Sequence, residues 1–191
     1  PVSAHTEETG TGLSHRPSGT MRISVARDAA FNFVYAENIA YLEQLGNVTY
    51  FSPLTDKTLP PTDFLYLPGG YPELHLKTLS ENQSMRDAVR AYLEKGGHAL
   101  AECGGRSIIG QDGNTYPMAG VLDQTATMQQ MKLRLGYRTL QWGEYRLAGH
   151  EFHYSSIVPA ENTLPSCATA FSALGRQVDT PLYHYRNLLA G

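Results

Sequence analysis

The chain has 191 residues, of which 41% are hydrophobic, with a formal net charge of −3 at pH 7 and a pI near 6.2. That length supports one ordinary core, hence one domain or one domain with a small appendage, and the charge leaves no basic footprint for nucleic acid or an anionic membrane surface. No apolar run approaches the roughly 20 residues needed to span a bilayer and no signal segment opens the chain, so a cytoplasmic protein is expected.

Residues 1–20 carry Ser, Thr, Gly, Pro and His without apolar periodicity and read as a flexible linker or tail, which leaves residues 21–191 as the folded domain. The opening at Pro1, without Met, is what a piece of something longer would show. Arg22–Ala26 reads as a strand, and Asn32 to Leu45 has helical spacing through Phe33, Ile39, Leu42 and Leu45, with Gly46 as its C-cap. Val48–Phe51 and Asp63–Leu67 are the next strands, the latter stopped by Pro68-Gly69-Gly70. A long helix from Glu81 to Lys95 follows, with Met85, Ala88, Val89, Tyr92 and Leu93 on one face and Gly96-Gly97 closing it. His98–Glu102 is a fourth strand that leads into Cys103-Gly104-Gly105, and Arg106–Ile109 is expected to begin the helix after that turn. Beyond Gly113 come short strands, including Tyr137–Trp142, Glu151–Ile157 and Leu182–Tyr185. The fold expected is α/β, a doubly wound and mostly parallel sheet with an antiparallel extension.

Ligands of open α/β sheets bind outside the carboxyl ends of the strands. Three segments meet that condition here: Ala26-Arg27-Asp28, Pro68-Gly69-Gly70-Tyr71-Pro72-Glu73 and Cys103-Gly104-Gly105. Cys103 sits between an apolar strand and two glycines, the setting of a nucleophile elbow, whose central residue needs small neighbours. It is either that nucleophile or a small buried hydrophobe at a tight turn. As a nucleophile it needs an imidazole or a helix N-terminus to form thiolate. Cys167, in Leu164-Pro-Ser-Cys-Ala, has no such setting and reads as structural; the two cysteines form neither a metal-ligand spacing nor a disulfide framework.

Among seven histidines, His150 and His153 stand out in Gly149-His-Glu-Phe-His-Tyr-Ser155. Strand alternation puts Glu151 and His153 on one face, with Ser155 next along it. No further ligand cluster completes a metal site around them, so no metal is expected. The Gly69-Gly70 backbone is either an oxyanion-binding loop or a plain turn, and Glu73 either binds a substrate amine or caps the next helix. No GxxxxGK[ST] phosphate loop occurs, so this chain is not expected to hydrolyse ATP by that mechanism.

The set Val25-Ala-Arg-Asp-Ala-Ala-Phe-Asn-Phe33, Leu67-Pro-Gly-Gly-Tyr-Pro-Glu73, Ala101-Glu-Cys-Gly-Gly105, Leu135-Gly-Tyr137 and Gly149-His-Glu-Phe-His-Tyr-Ser155 resembles the glutamine amidotransferase domain of cobyrinic acid a,c-diamide synthases, from about Arg22 to Asn187. The resemblance implies a flavodoxin-like class I glutaminase that releases ammonia from L-glutamine for cobalamin biosynthesis. Cys103 would be the nucleophile, His153 the general base and then acid, and Gly104 with the Gly69-Gly70 region the oxyanion and glutamine site, with Glu73 beside it. It further implies that no cofactor binds here, and that ATP and Mg2+ belong to an N-terminal synthetase domain absent from this chain.

The sequence also departs from that pattern. Class I relatives carry a glutamate two residues after the catalytic histidine, where Ser155 stands, and Glu151 is the candidate substitute orienting residue. Arg106-Ser107 replace apolar residues after the elbow, the segment to Tyr116 is short, and the chain stops at Leu189-Ala-Gly191. A catalytically silent docking module of a related synthase and a cysteine hydrolase acting on another amide are the competing readings.

Overall fold

The computed structural model describes residues 20–102, 105–129, 132–159 and 164–191. Cys103, Gly104 and residues 1–19 of the tail expected at 1–20 therefore lie outside the described residues, and so does the Arg106 side chain.

A six-stranded sheet organises the first half. Strands β1 (Met21–Ala26), β2 (Gly46–Phe51), β3 (Phe64–Leu67) and β4 (His98–Ala101) are parallel, and two strands from the far end of the chain join them. Those two pair with each other antiparallel: Tyr183–Tyr185 lies outermost, and Leu188–Ala190 runs parallel to β4. Helix α1 (Ala36–Leu45) lays Ile39 and Leu42 against Ile23, Val25 and Tyr66. Helices α2 (Leu76–Glu81) and α3 (Gln83–Glu94) follow β3, and Met85, Val89 and Leu93 of α3 pack on Ala26, Leu65, Ala99 and Ala101. The alternate residues of the strands thus feed two cores, one under a helix on each face, which is the doubly wound arrangement.

The rest of the chain forms two further four-stranded sheets rather than an extension of the first. One combines β5 (Gly105–Ile109), β6 (Thr115–Pro117), β7 (Leu122–Thr127) and a short strand at Ser156–Ile157. The other is built on the hairpin of β8 (Arg134–Trp142) and β9 (Tyr145–His153), with β10 at Ser156–Ile157 falling between it and β11 (Thr169–Ser172) and β12 (Gln177–Val178) in the chain. The last two strands of the six-stranded sheet are accordingly β13 and β14. Only β13 is antiparallel in that sheet, so the expected antiparallel extension reduces to one edge strand.

Four local expectations change. The first helix begins at Ala36 rather than Asn32, because Phe33 donates its N–H to the Gly69 carbonyl at 3.0 Å and is held extended. Gly46 ends α1 in extended rather than left-handed backbone and opens β2; a Cβ there would stand within 2.0 Å of the Met21 carbonyl oxygen, so close strand pairing demands glycine. The long helix expected from Glu81 to Lys95 is present as α3 but starts at Gln83, since Asn82, whose buried Nδ2 donates to the carbonyls of Pro53 and Asp56 at 2.8 Å each, separates it from α2. Most consequential is Arg106–Ile109, which lies within strand β5 and not a helix: Ser107-Ile108-Ile109 pair with β6 and β7, and Ser107 Oγ lies 3.0 Å from Thr125 Oγ1. Two β-branched residues in a row suit that pleated setting.

Candidate active site

In the six-stranded sheet the strand order reverses between β1 and β3, so the crevice for a ligand opens outside the carboxyl ends of those strands. Asp28, two residues past β1, shapes one wall. Its Oδ1 accepts the N–H groups of Ala30 and Phe31 at 2.8 and 3.1 Å, and its Oδ2 accepts Ser52 Oγ–H and the Leu54 N–H at 2.8 and 3.0 Å. The loop so folded runs against the 68–71 loop. Tyr71 N–H donates to the Ala30 carbonyl at 3.0 Å, and a Cβ on Gly70 would lie 2.2 Å from that same carbonyl oxygen. Only glycine permits this approach.

Glu102, the residue before Cys103, closes the crevice from below. Its Oε2 accepts the Gly69 N–H and its Oε1 the Tyr66 O–H, each at 2.8 Å. Burial, and then the negative charge of Glu102, hold the Tyr66 phenol above its ordinary pKa, so it stays a donor. This corrects one expectation: the Gly69 N–H is committed to Glu102 and is not free for an oxyanion. Among the described residues the Gly70 N–H has no partner.

The strand that carries the candidate base reaches the same place. Alternation along β9 puts Glu151 and His153 on one face, as expected, and Glu151 Oε1 lies 2.8 Å from His153 Nε2. The Glu151 side chain is only 5% exposed and that of His153 is 41% exposed, so the carboxylate is buried beneath a partly exposed ring. Ser155 lies outside β9, and it is its backbone carbonyl oxygen, not its hydroxyl, that sits 2.9 Å from His153 Nδ1. On the other face Phe152 stacks edge-on to Phe33 at 6.2 Å, and Phe33 to Tyr71 at 4.8 Å. A continuous set of contacts thus runs from the His153 strand through Phe152 and Phe33 to Gly69, and from Gly69 to Glu102 beside Cys103.

Two residues that sequence reasoning missed complete the polar side. Arg138 of β8 donates from Nε to Glu151 Oε2 at 2.7 Å, and Thr180 donates its hydroxyl to the same oxygen at 3.0 Å. Burial would raise the Glu151 pKa, but the hydrogen bonds from His153, Thr180 and Arg138 outweigh it and hold the carboxyl below its usual value. The Leu-Gly-Tyr-Arg run that ends at Arg138 was the available signal, since the resemblance already singled out its first three residues.

Glu73 lies in the first turn of a short 3-10 segment, Pro72–Leu74, and makes no capping hydrogen bond there. The following helix, α2, likewise has no side-chain capping hydrogen bond, so the capping reading of Glu73 finds no support. Cys167 is half-buried, and burial pushes its thiol pKa up, which fits a structural residue. With β5 a strand, no helix N-terminus follows the cysteine turn at Gly105–Ile109, and the thiolate support expected from a helix dipole is not available from those residues. Among the described residues no group of three His, Cys, Asp or Glu side chains stands together as a metal site, and no helix is long and apolar enough to cross a membrane.

Comparison with known proteins agrees with this geometry. Residues 22–185 match the family described as the CobB/CobQ-like glutamine amidotransferase domain. The chain is 39% identical over 179 residues to a hydrogenobyrinate a,c-diamide synthase of Pseudomonas aeruginosa, covering 86% of this chain and 41% of that protein. It is 40% identical over 164 residues to a cobyrinate a,c-diamide synthase of Herminiimonas arsenicoxydans, covering 82% and 37%. The chain therefore spans only about two fifths of the length of these curated relatives. A crystal structure of a glutamine amidotransferase from Thermotoga maritima shares the fold, with a TM-score of 0.56 at 13% identity over 90% of this chain and 74% of that one. With the family match running from β1 to β13 through every segment that lines the crevice, the chain belongs to the CobB/CobQ-like glutamine amidotransferase domains.

Proposed function

We propose that this chain is the glutamine-hydrolysing part of an ATP-dependent synthase that amidates the a- and c-carboxylates of cobyrinic or hydrogenobyrinic acid in cobalamin biosynthesis. The observation that carries this reading is the His153–Glu151 pair, 2.8 Å apart, joined through Phe152 and Phe33 to the Gly69-Gly70 loop and through Gly69 to Glu102, the neighbour of Cys103. The names of the curated relatives support the amidated substrate, and the missing three fifths of their length is where ATP, Mg2+ and the corrinoid would bind.

The Cys103 thiolate attacks the side-chain amide carbon of L-glutamine, and the carbonyl oxygen becomes an oxyanion that the Gly70 N–H and the Gly104 N–H accommodate. His153, protonated by the thiol, returns that proton to the leaving nitrogen, and ammonia departs to leave a thioester. A water then attacks the thioester carbonyl, His153 takes its proton and passes it to the leaving sulfur, and glutamate is released. Glu73 takes the α-amino group of glutamine, and Glu151 fixes the orientation of the ring. Purified chain should release glutamate and ammonia from glutamine and lose that activity with Cys103→Ala and with His153→Ala. A folded chain, alone and joined to its synthetase part, that leaves glutamine intact would contradict the reading.

The strand at Gly105–Ile109 favours one alternative, a catalytically silent docking module, because it removes a helix terminus that would support the thiolate. In that case the chain would bind glutamine or its synthase partner without turnover and without loss of function on Cys103→Ala.

A further inference from the structure

The Glu151 carboxylate splits its two oxygens between two tasks. Oε1 meets His153 Nε2, whereas Oε2 is taken by Arg138 Nε at 2.7 Å and by the Thr180 hydroxyl at 3.0 Å. Two donors from different elements on one oxygen fix the plane of the carboxylate, and so fix the direction in which the other oxygen points. Arg138 is itself held: its Nη1 donates to the Tyr137 carbonyl at 3.0 Å, and its side chain is only 15% exposed. Gly136, directly opposite Glu151 across the β8–β9 ladder, leaves room for it, since a Cβ there would stand 2.8 Å from Arg138 Nη1. Its φ of +147° lies outside the range that side-chain-bearing residues favour. The guanidinium therefore lies over Gly136 on its way to Glu151.

We propose that Arg138 and Thr180 are positioning residues of the glutaminase reaction, a clamp that aims Glu151 at His153 Nε2 and so replaces the third triad member that Ser155 does not supply. This inference rests on the reading given under Proposed function. His153 has an acceptor on each ring nitrogen, the Glu151 carboxylate and the Ser155 carbonyl, and both are satisfied only when both nitrogens carry protons. Among the described residues Arg134 faces His153 across the ladder, and its Nη1 donates to the Asp179 backbone carbonyl at 2.8 Å.

The test uses this chain with Thr180→Val, which removes the hydroxyl at nearly constant volume, Thr180→Ser, which keeps it, and Arg138→Gln. Glutamine turnover should fall about fivefold in Thr180→Val and about tenfold in Arg138→Gln, through kcat with KM within about twofold, and Thr180→Ser should recover it. Independently of activity, nitrogen-15 spectra of the His153 ring should show Nε2 as a fixed N–H donor in the unaltered chain and in Thr180→Ser, and tautomer averaging in Thr180→Val. If ring spectra and kcat are unchanged in folded Thr180→Val, the clamp is wrong. If the ring spectra change as expected while no chain hydrolyses glutamine, the clamp stands as geometry, the positioning role fails, and the fault lies with the glutaminase reading.

Discussion

Glu102 Oε2 accepts the Gly69 N–H at 2.8 Å across 33 residues of chain, so the residue before Cys103 is latched to the 68–71 loop. Its other oxygen holds the buried Tyr66 hydroxyl. Glu102→Ala should cost about 1.5–3 kcal/mol in urea unfolding, the scale of a hydrogen bond to a charged group, and should lower glutamine turnover more than Tyr66→Phe, which breaks only one of the two bonds. Equal turnover in the two variants would mean that the latch does not position the loop.

Gly70 and Gly149 give a paired comparison. A Cβ at Gly70 meets the Ala30 carbonyl oxygen at 2.2 Å, whereas nothing lies within 4 Å of one at Gly149. Gly70→Ala should destabilise by about 1–3 kcal/mol and abolish glutamine binding, while Gly149→Ala should change neither by more than about 0.5 kcal/mol. Calorimetry and chemical denaturation of the two variants would check this.

The pH dependence follows from Glu151. Its folded pKa is depressed, despite burial, by the bonds from His153, Thr180 and Arg138, so its contribution to stability is complete above the ordinary carboxylate value near about 4.3 and is lost as pH falls through the folded value. Urea midpoints should therefore fall more steeply below about pH 5 in the unaltered chain than in Glu151→Gln.

Leu100 of β4 is 38% exposed although its register partner Tyr66 is buried. Leu100→Ala should cost under about 1 kcal/mol, against about 2–5 kcal/mol for Leu65→Ala, which is 0% exposed in the other core. Thermal denaturation would rank them.

What the sequence made legible is what short-range periodicity controls. The four parallel strands, the α3 face of Met85, Val89 and Leu93, and the pairing of Glu151 with His153 all follow from spacing within a single element. The run Arg106-Ser-Ile-Ile109 did not resolve, because four residues fit the start of a helix as well as a strand, and only its pairing with β6 and β7 decides. Asn82 could not be seen as a break without Pro53 and Asp56, which its side chain meets from 29 and 26 residues away. Arg138 and Thr180 reach Glu151 from 13 and 29 residues away on other segments; the Leu135-Gly-Tyr137 motif lies next to Arg138, whereas no local pattern marks Thr180 as part of the site.

The central claim is that Cys103 attacks glutamine, and the most direct measurement is peptide mass spectrometry after treatment with a glutamine-analogue diazoketone, whose methylene carbon is alkylated by a thiolate with loss of dinitrogen. Stoichiometric labelling of Cys103, protection by L-glutamine, no labelling of Cys167, and loss of labelling in His153→Ala are expected. No label on Cys103, or equal labelling of both cysteines that glutamine does not suppress, would contradict it.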